Sequence, residues 1–191
     1  MTLLQVMPVE APGTVLTRTR DTAEITDMLR THGVSFSRWP VRLKVAPTTT
    51  PADLLETYRK EVDALCAEQG LRLVDVARLH PEDSPAWAVR ADAARSMFLE
   101  EHRHDEDEVR FFAHGTGCFY LHLDDKVHAV VCEAGDLLSV PAGTRHWFDM
   151  GPVPDFAAIR FFEKEDGWVG DFTADPIAAS FPRLDALLAE D

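Results

Sequence analysis

Hydrophobic and polar positions alternate with two different periods along this chain, and the period changes after about residue 95, with one strand-like run before it at residues 71–79. In the first third, Ile25, Met28 and Leu29 recur at helical spacing within residues 21–31; Asp21 and Glu24 fit a capping box and Gly33 can end the helix. A second helix is predicted over residues 51–69, with Leu54, Leu55, Tyr58, Val62 and Leu65 on one face. Thr50 can cap it, Pro51 suits its first turn and Gly70 closes it. Ser84 marks a third, weaker helix over residues 85–95. These stripes read as core-facing surfaces. Short runs then take over. "LRLVDVARL" is followed by "EVRFF", "CFYLHL", "VHAVVCE", "DLLSVPAG", "RHWFDM" and "AAIRFFEK", broken at "HGTG", "LDDK", "EAGD", "PAGT" and "GPVPD". Closely spaced strands with such turns predict an all-β sandwich or barrel behind an N-terminal helical portion.

Composition narrows the function classes. With 191 residues the chain is of single-domain size, and 46% hydrophobic content can build a core. No apolar run approaches the length of a membrane span. "MTLLQVMPVE" reads as a short strand rather than a signal peptide, so the expected location is the cytoplasm. Net charge is −14, which repels phosphate backbones and anionic lipid; nucleic acid and membranes are not expected partners, and the acidity favours a monomer. Cys66, Cys118 and Cys132 are odd in number and form no C-x-x-C pair, so they read as buried free thiols.

The chemistry concentrates in "LEEHRHDEDEVRFFAHGTG". His102 and His104 are two apart, and on an extended chain such residues face the same side. Glu108 follows past the polar turn "DEDE" and opens the next strand, where its carboxylate can return to the same point. Far along the chain, Gly135, Pro141 and Gly143 shape a turn that can swing His146 toward the first three. Three imidazoles and one carboxylate suit Fe(II), Ni(II) or Mn(II), with two positions of an octahedral ion left free. Strand parity puts Glu108, Arg110 and Phe112 on one face, and His146 with Phe148 on another. An inward arginine needs a partner. Arg110 therefore either meets substrate oxygens or pairs with an acid such as Glu101. His32, His80, His114, His122 and His128 lack ligand spacing, although His122 could sit inside a barrel.

His102, His104, Glu108 and Gly115 satisfy H-x-H-x3-E-x6-G, and Gly135, Pro141, Gly143 and His146 satisfy G-x5-P-x-G-x2-H. The two motifs resemble those of the cupin superfamily, although Ser96 and Met150 replace a frequent glycine and asparagine. Together with "GVSFSRW", "FLEEHRHDEDEVRFF", "DLLSVPAGTRHWFDMG" and "AIRFFEKEDGW", they resemble the acireductone dioxygenase family over residues 21–168. The resemblance implies one cupin domain over residues 1–191, with helices and flanking strands to about 95, an antiparallel jelly-roll β-barrel over about 96–168 and a C-terminal tail from about 169. It implies one Fe(II) or Ni(II) per chain held by His102, His104, Glu108 and His146, with Glu101 supporting the ligands. Arg110 would act on substrate, and Phe98, Phe148, Arg160 and Trp168 would line the pocket; core packing for the aromatics and an ion pair for Arg160 stand as alternatives. The implied substrates are the acireductone 1,2-dihydroxy-3-keto-5-methylthiopentene and O2, in methionine salvage. Fe(II) would give 4-methylthio-2-oxobutanoate and formate; Ni(II) would give 3-methylthiopropanoate, formate and carbon monoxide. Another cupin metalloenzyme, or a non-catalytic ligand-binding cupin, would share the two motifs.

Overall fold

Helices and caps form where the apolar stripes place them in a computed structural model that describes residues 1–167 and 169–189. Strands β1 (Leu3–Pro8) and β2 (Thr17–Thr19) precede α1 (Thr22–Arg30) and β3 (Ser35–Arg38). Then come α2 (Pro51–Thr57), α3 (Arg59–Gln69), β4 (Leu73–Leu79) and α4 (Pro85–Phe98). The strand-rich half comprises β5 (His102–Arg103), β6 (Glu108–Leu123), β7 (Lys126–Glu133), β8 (Asp136–Val140), β9 (Arg145–Asp149), β10 (Phe156–Phe162) and β11 (Asp171–Phe172). A 3-10 turn at Pro176–Ser180 and α5 (Leu184–Ala189) follow.

Asp21 accepts from the Glu24 amide, Thr50 from that of Asp53 and Ser84 from that of Trp87, so each expected cap satisfies an otherwise orphaned N–H. The Asp21 box closes through a relay: Thr19 Oγ1 accepts from Asp21 N and donates to the Glu24 carboxylate. The helix expected over residues 51–69 is two helices. Tyr58 leaves helical geometry at φ −105° and ψ 12°, and its hydroxyl accepts from Arg42 N while its ring packs on Phe111. Anchoring that side chain in the core interrupts the helix.

Two antiparallel sheets share β6. One runs β11-β5-β9-β6-β7-β1-β2; the other joins β3-β8-β6-β10-β4. Neither returns to its first strand, so the expected antiparallel jelly-roll barrel is present with its sheets left open. The sharing also corrects the hairpin expected at "HGTG". The runs "EVRFF" and "CFYLHL" are one 16-residue strand, bulged where Ala157 pairs with His114 but Ala158 pairs with Phe112. Gly115 follows at φ +72°, and a Cβ there would stand 1.8 Å from the Asp155 carbonyl oxygen. Only glycine admits that approach.

Between the sheets lie Leu4, Val6, Phe36, Phe112, Phe119, Leu121, Val130 and Leu138, plugged at one end by Ile25 and Leu29 of α1. The outer face of one sheet packs Val109, Phe111 and Ile159 against Leu54 of α2, Leu65 of α3 and Tyr58 between them. The other outer face packs Tyr120 and Trp147 against Phe181, Leu184 and Leu187. The C-terminal segment is thus part of the packed structure. Among the described residues, no helix is long and apolar enough to cross a membrane. The three cysteines are free, two of them buried.

Candidate metal centre

Register brings the two histidine-bearing segments together. His102 on β5 pairs with His146 on β9, and His146 pairs with Leu121 on β6. The turn before His146 is tied to the first segment: Gly143 N donates to His104 O at 2.9 Å and Ala142 N to the Asp107 carboxylate at 2.8 Å. Ring centroids of His102, His104 and His146 lie 4.6–5.2 Å apart, and one ring nitrogen from each falls within 4.8 Å of the others.

Each imidazole is oriented by a backbone carbonyl. Nδ1 faces Glu100 O at 2.8 Å in His102, Val169 O at 2.9 Å in His104 and Thr144 O at 2.8 Å in His146. A carbonyl only accepts, so each Nδ1 carries the proton and each Nε2 is left as a bare lone pair. His146 Nε2 and Glu108 Oε2 stand 2.6 Å apart, buried, with no hydrogen bond satisfying either; His104 Nε2 is 3.5 Å from the same oxygen. Acceptors facing acceptors at that distance require a shared positive charge. The donor set of three nitrogens and one carboxylate therefore fits a divalent transition-metal ion.

Charge around this point is arranged for a carboxylate that stays ionised. Burial works to raise Glu108, but the Arg110 charge and His146 overcome it and hold Glu108 well below the usual carboxylate range. Burial, reinforced by His146, pushes His102 down to about 4. Burial also presses down on His104, yet Glu108 beside it lifts it above its ordinary value. Arg110 Nη2 lies 2.6 Å from Glu108 Oε1 and its guanidinium sits 5.2 Å above the Phe162 ring. The alternative partner, Glu101, is engaged elsewhere: its carboxylate accepts from His122 Nδ1 at 2.5 Å and Thr173 Oγ1 at 2.8 Å. Arg110 lies on the same β6 face as Glu108, whereas His122 lies on the opposite face.

A cavity opens from these side chains. Phe98, Arg110, Phe148 and Arg160 border it, as does each of the four metal-ligand candidates. Arg160 also forms a two-pronged ion pair with Asp75, at 2.7 and 2.5 Å, so lining and pairing coexist. Trp168 lies outside the described residues. Sequence reasoning missed Ala77, Phe119, Met150, Phe156 and Ala158, which complete the apolar wall. Ala77 and Ala158 are register partners, and two facing alanines leave the space that larger side chains would fill. His122 is not inside the sandwich: it pairs with Arg145 on the face away from the ligands. Within the polar turn "DEDE", Asp105 and Asp107 are exposed while Glu106 is buried. His80 and His114 share Asp155, and His32 packs near His128, all apart from the ligand cluster.

Comparison with known proteins covers the segment that carries these residues. The ARD/ARD' family model matches residues 9–170. The chain is 58% identical to "Acireductone dioxygenase 1" of Nocardia farcinica, covering 98% of this chain and 100% of that one. It is 53% identical to "Acireductone dioxygenase" of Saccharopolyspora erythraea, covering 99% of each. Its structure resembles an acireductone dioxygenase of Bacillus anthracis that holds a cadmium ion in its active center, with a TM-score of 0.76, 29% identity and coverage of 90% of this chain and 98% of the other. A match over most of the sequence and the shared cupin architecture place this chain in the acireductone dioxygenase family.

Proposed function

We propose that this protein is a metal-dependent dioxygenase that cleaves 1,2-dihydroxy-3-keto-5-methylthiopentene with O2 in methionine salvage. The observation that carries this reading is the convergence of bare lone pairs from His146 Nε2 and Glu108 Oε2 at the inner end of a cavity bordered by one buried arginine. His102, His104, Glu108 and His146 would hold Fe(II) or Ni(II), which when bound would supply Lewis-acid stabilisation of the enediol oxyanions.

The chain's own residues do the rest. Arg110, 8% exposed and already balanced against Glu108, presents a fixed guanidinium to an anionic substrate oxygen. Phe98, Phe148 and Phe119 form an apolar wall for the methylthio-alkyl tail and keep water from the reacting carbons. Arg160, paired with Asp75, adds positive potential without a second unpaired charge. Glu101, braced by His122 and Thr173, fixes the chain where His102 enters β5. The strongly acidic surface supports a monomeric, cytoplasmic protein that meets a small molecule rather than a polyanion.

The test is anaerobic loading with Fe(II) or Ni(II), followed by acireductone and O2. Expected products are 4-methylthio-2-oxobutanoate with formate for Fe(II), and 3-methylthiopropanoate, formate and carbon monoxide for Ni(II). Protein carrying one ion per chain that consumes no O2 with acireductone under either metal would overturn the proposal.

A further inference from the structure

We propose that Glu106 is a positioning residue for the metal centre: its buried carboxylate anchors the turn that carries the Val169 carbonyl, and so sets the orientation of His104. The inference rests on the metal-binding reading above and extends it to a residue outside the ligand set.

Glu106 is 5% exposed, although it sits in an acidic segment between two ligand positions. Oε2 accepts from Glu163 N at 2.8 Å and from Lys164 N at 3.2 Å, while Oε1 is buried without a hydrogen-bond partner. Burying a carboxylate is costly unless it satisfies donors that nothing else can reach. The donors here open the turn after β10. Gly167 N then donates to Lys164 O at 3.2 Å and Val169 N to Asp166 O at 2.9 Å. Val169 O in turn accepts from His104 Nδ1 at 2.9 Å. The Glu106 carboxylate thus holds the start of the turn, two backbone bonds brace the turn within itself, and its far end meets a histidine only two residues from Glu106. Among the described residues no other contact fixes the His104 ring by its Nδ1. Removing the partner that orients a metal-binding histidine typically lowers metal affinity about 10–100-fold.

Gly167 gives independent support. A Cβ at that position would stand 1.0 Å from Glu106 Oε1 and 2.2 Å from Cδ. Its φ lies outside the left-handed region, so alanine there adds a clash with this carboxylate and no backbone strain. The absent side chain makes room for the anchor.

The experiment measures Ni(II) dissociation constants by chelator competition, and trypsin cleavage after Lys164, for the full chain. Glu106→Ala should weaken Ni(II) binding at least tenfold and speed that cleavage. Glu106→Gln, which keeps an acceptor for both amides, should restore both. Gly167→Ala should weaken Ni(II) binding in the natural chain and add nothing in the Glu106→Ala background, because the clash is then gone. Should Glu106→Ala not fold, the Gly167→Ala and Glu106→Gln measurements decide alone. Unchanged affinity in Gly167→Ala, or a loss in Glu106→Gln as large as tenfold, would overturn the anchor. A natural chain that binds no Ni(II) would instead overturn the metal-binding reading itself.

Discussion

Replacing Arg110 by alanine should separate two roles of one side chain. In the metal-free protein Arg110 is the positive neighbour of Glu108, at 2.6 Å, and both side chains are at most 10% exposed. Deleting one partner of a buried ion pair leaves the other as an uncompensated charge and costs about 3–5 kcal/mol. For a chain of this length that is a fall of about 6–20 °C in melting temperature. Bound Ni(II) neutralises the same carboxylate, so the fall should be much smaller in the metal-saturated variant. Turnover should be lost in both states, because among the described residues the other arginine lining the cavity, Arg160, already commits its charge to a two-pronged pair with Asp75. The assay is a pair of thermal melts, with chelator and with saturating Ni(II), alongside O2 uptake with acireductone. Sustained turnover would refute the substrate role. A metal-free melting temperature within about 2 °C of the natural protein's would refute the charge-compensation reasoning.

Three further outcomes follow from the same geometry. Gly117→Ala places a Cβ 2.3 Å from Phe148 Cζ, and displacing that ring into the cavity should raise KM about tenfold with metal content unchanged; an unaltered KM would remove Phe148 from the substrate wall. Ni(II) at a hundredfold excess over its dissociation constant should add about 2.7 kcal/mol, roughly 5–11 °C in melting temperature, and His146→Ala should abolish the gain; a melt insensitive to nickel would contradict the site. His128 is held down to about 4, chiefly by burial and then by His32, so the unfolded chain binds the extra proton between about 4 and 6.5. Its contribution, on the order of 3 kcal/mol, is present above pH 6.5 and lost as pH falls toward 4; His128→Leu should flatten that decline in denaturant titrations, and an identical slope would refute it.

What the sequence disclosed and what it concealed divide at places where the backbone departs from regularity. Caps at Asp21, Thr50 and Ser84 were legible because a short polar side chain before an apolar stripe has one local use. The common face of Glu108, Arg110 and Phe112 was legible because alternation holds within an unbroken pleat. Carried onward without interruption, the same alternation would place His122 inside the sandwich. The bulge at Ala113 inverts it, so Phe119 and Leu121 turn inward and His122 outward. Nothing in "AHGTG" distinguishes a bulge from a hairpin, since glycine serves both. Tyr58 breaks its helix for a tertiary reason, the pocket against Phe111, which no local pattern carries. Glu106 was hidden because its donors are backbone amides nearly sixty positions away.

The first strand has a consequence for how the chain is made. β1 lies in the interior of its sheet, between β2 and β7, with Leu3 opposite Val131 and Pro8 opposite Lys126. During synthesis at 5–20 residues per second, "LLQVMP" waits roughly 6–25 s before its longer neighbour exists. In that interval Thr17–Thr19 can pair one edge of it and Ile25, Leu29 and Phe36 can cover Leu4 and Val6, but the edge that takes β7 stays open, so the nascent chain presents an unpaired strand edge that chaperones are suited to hold until translation passes Glu133.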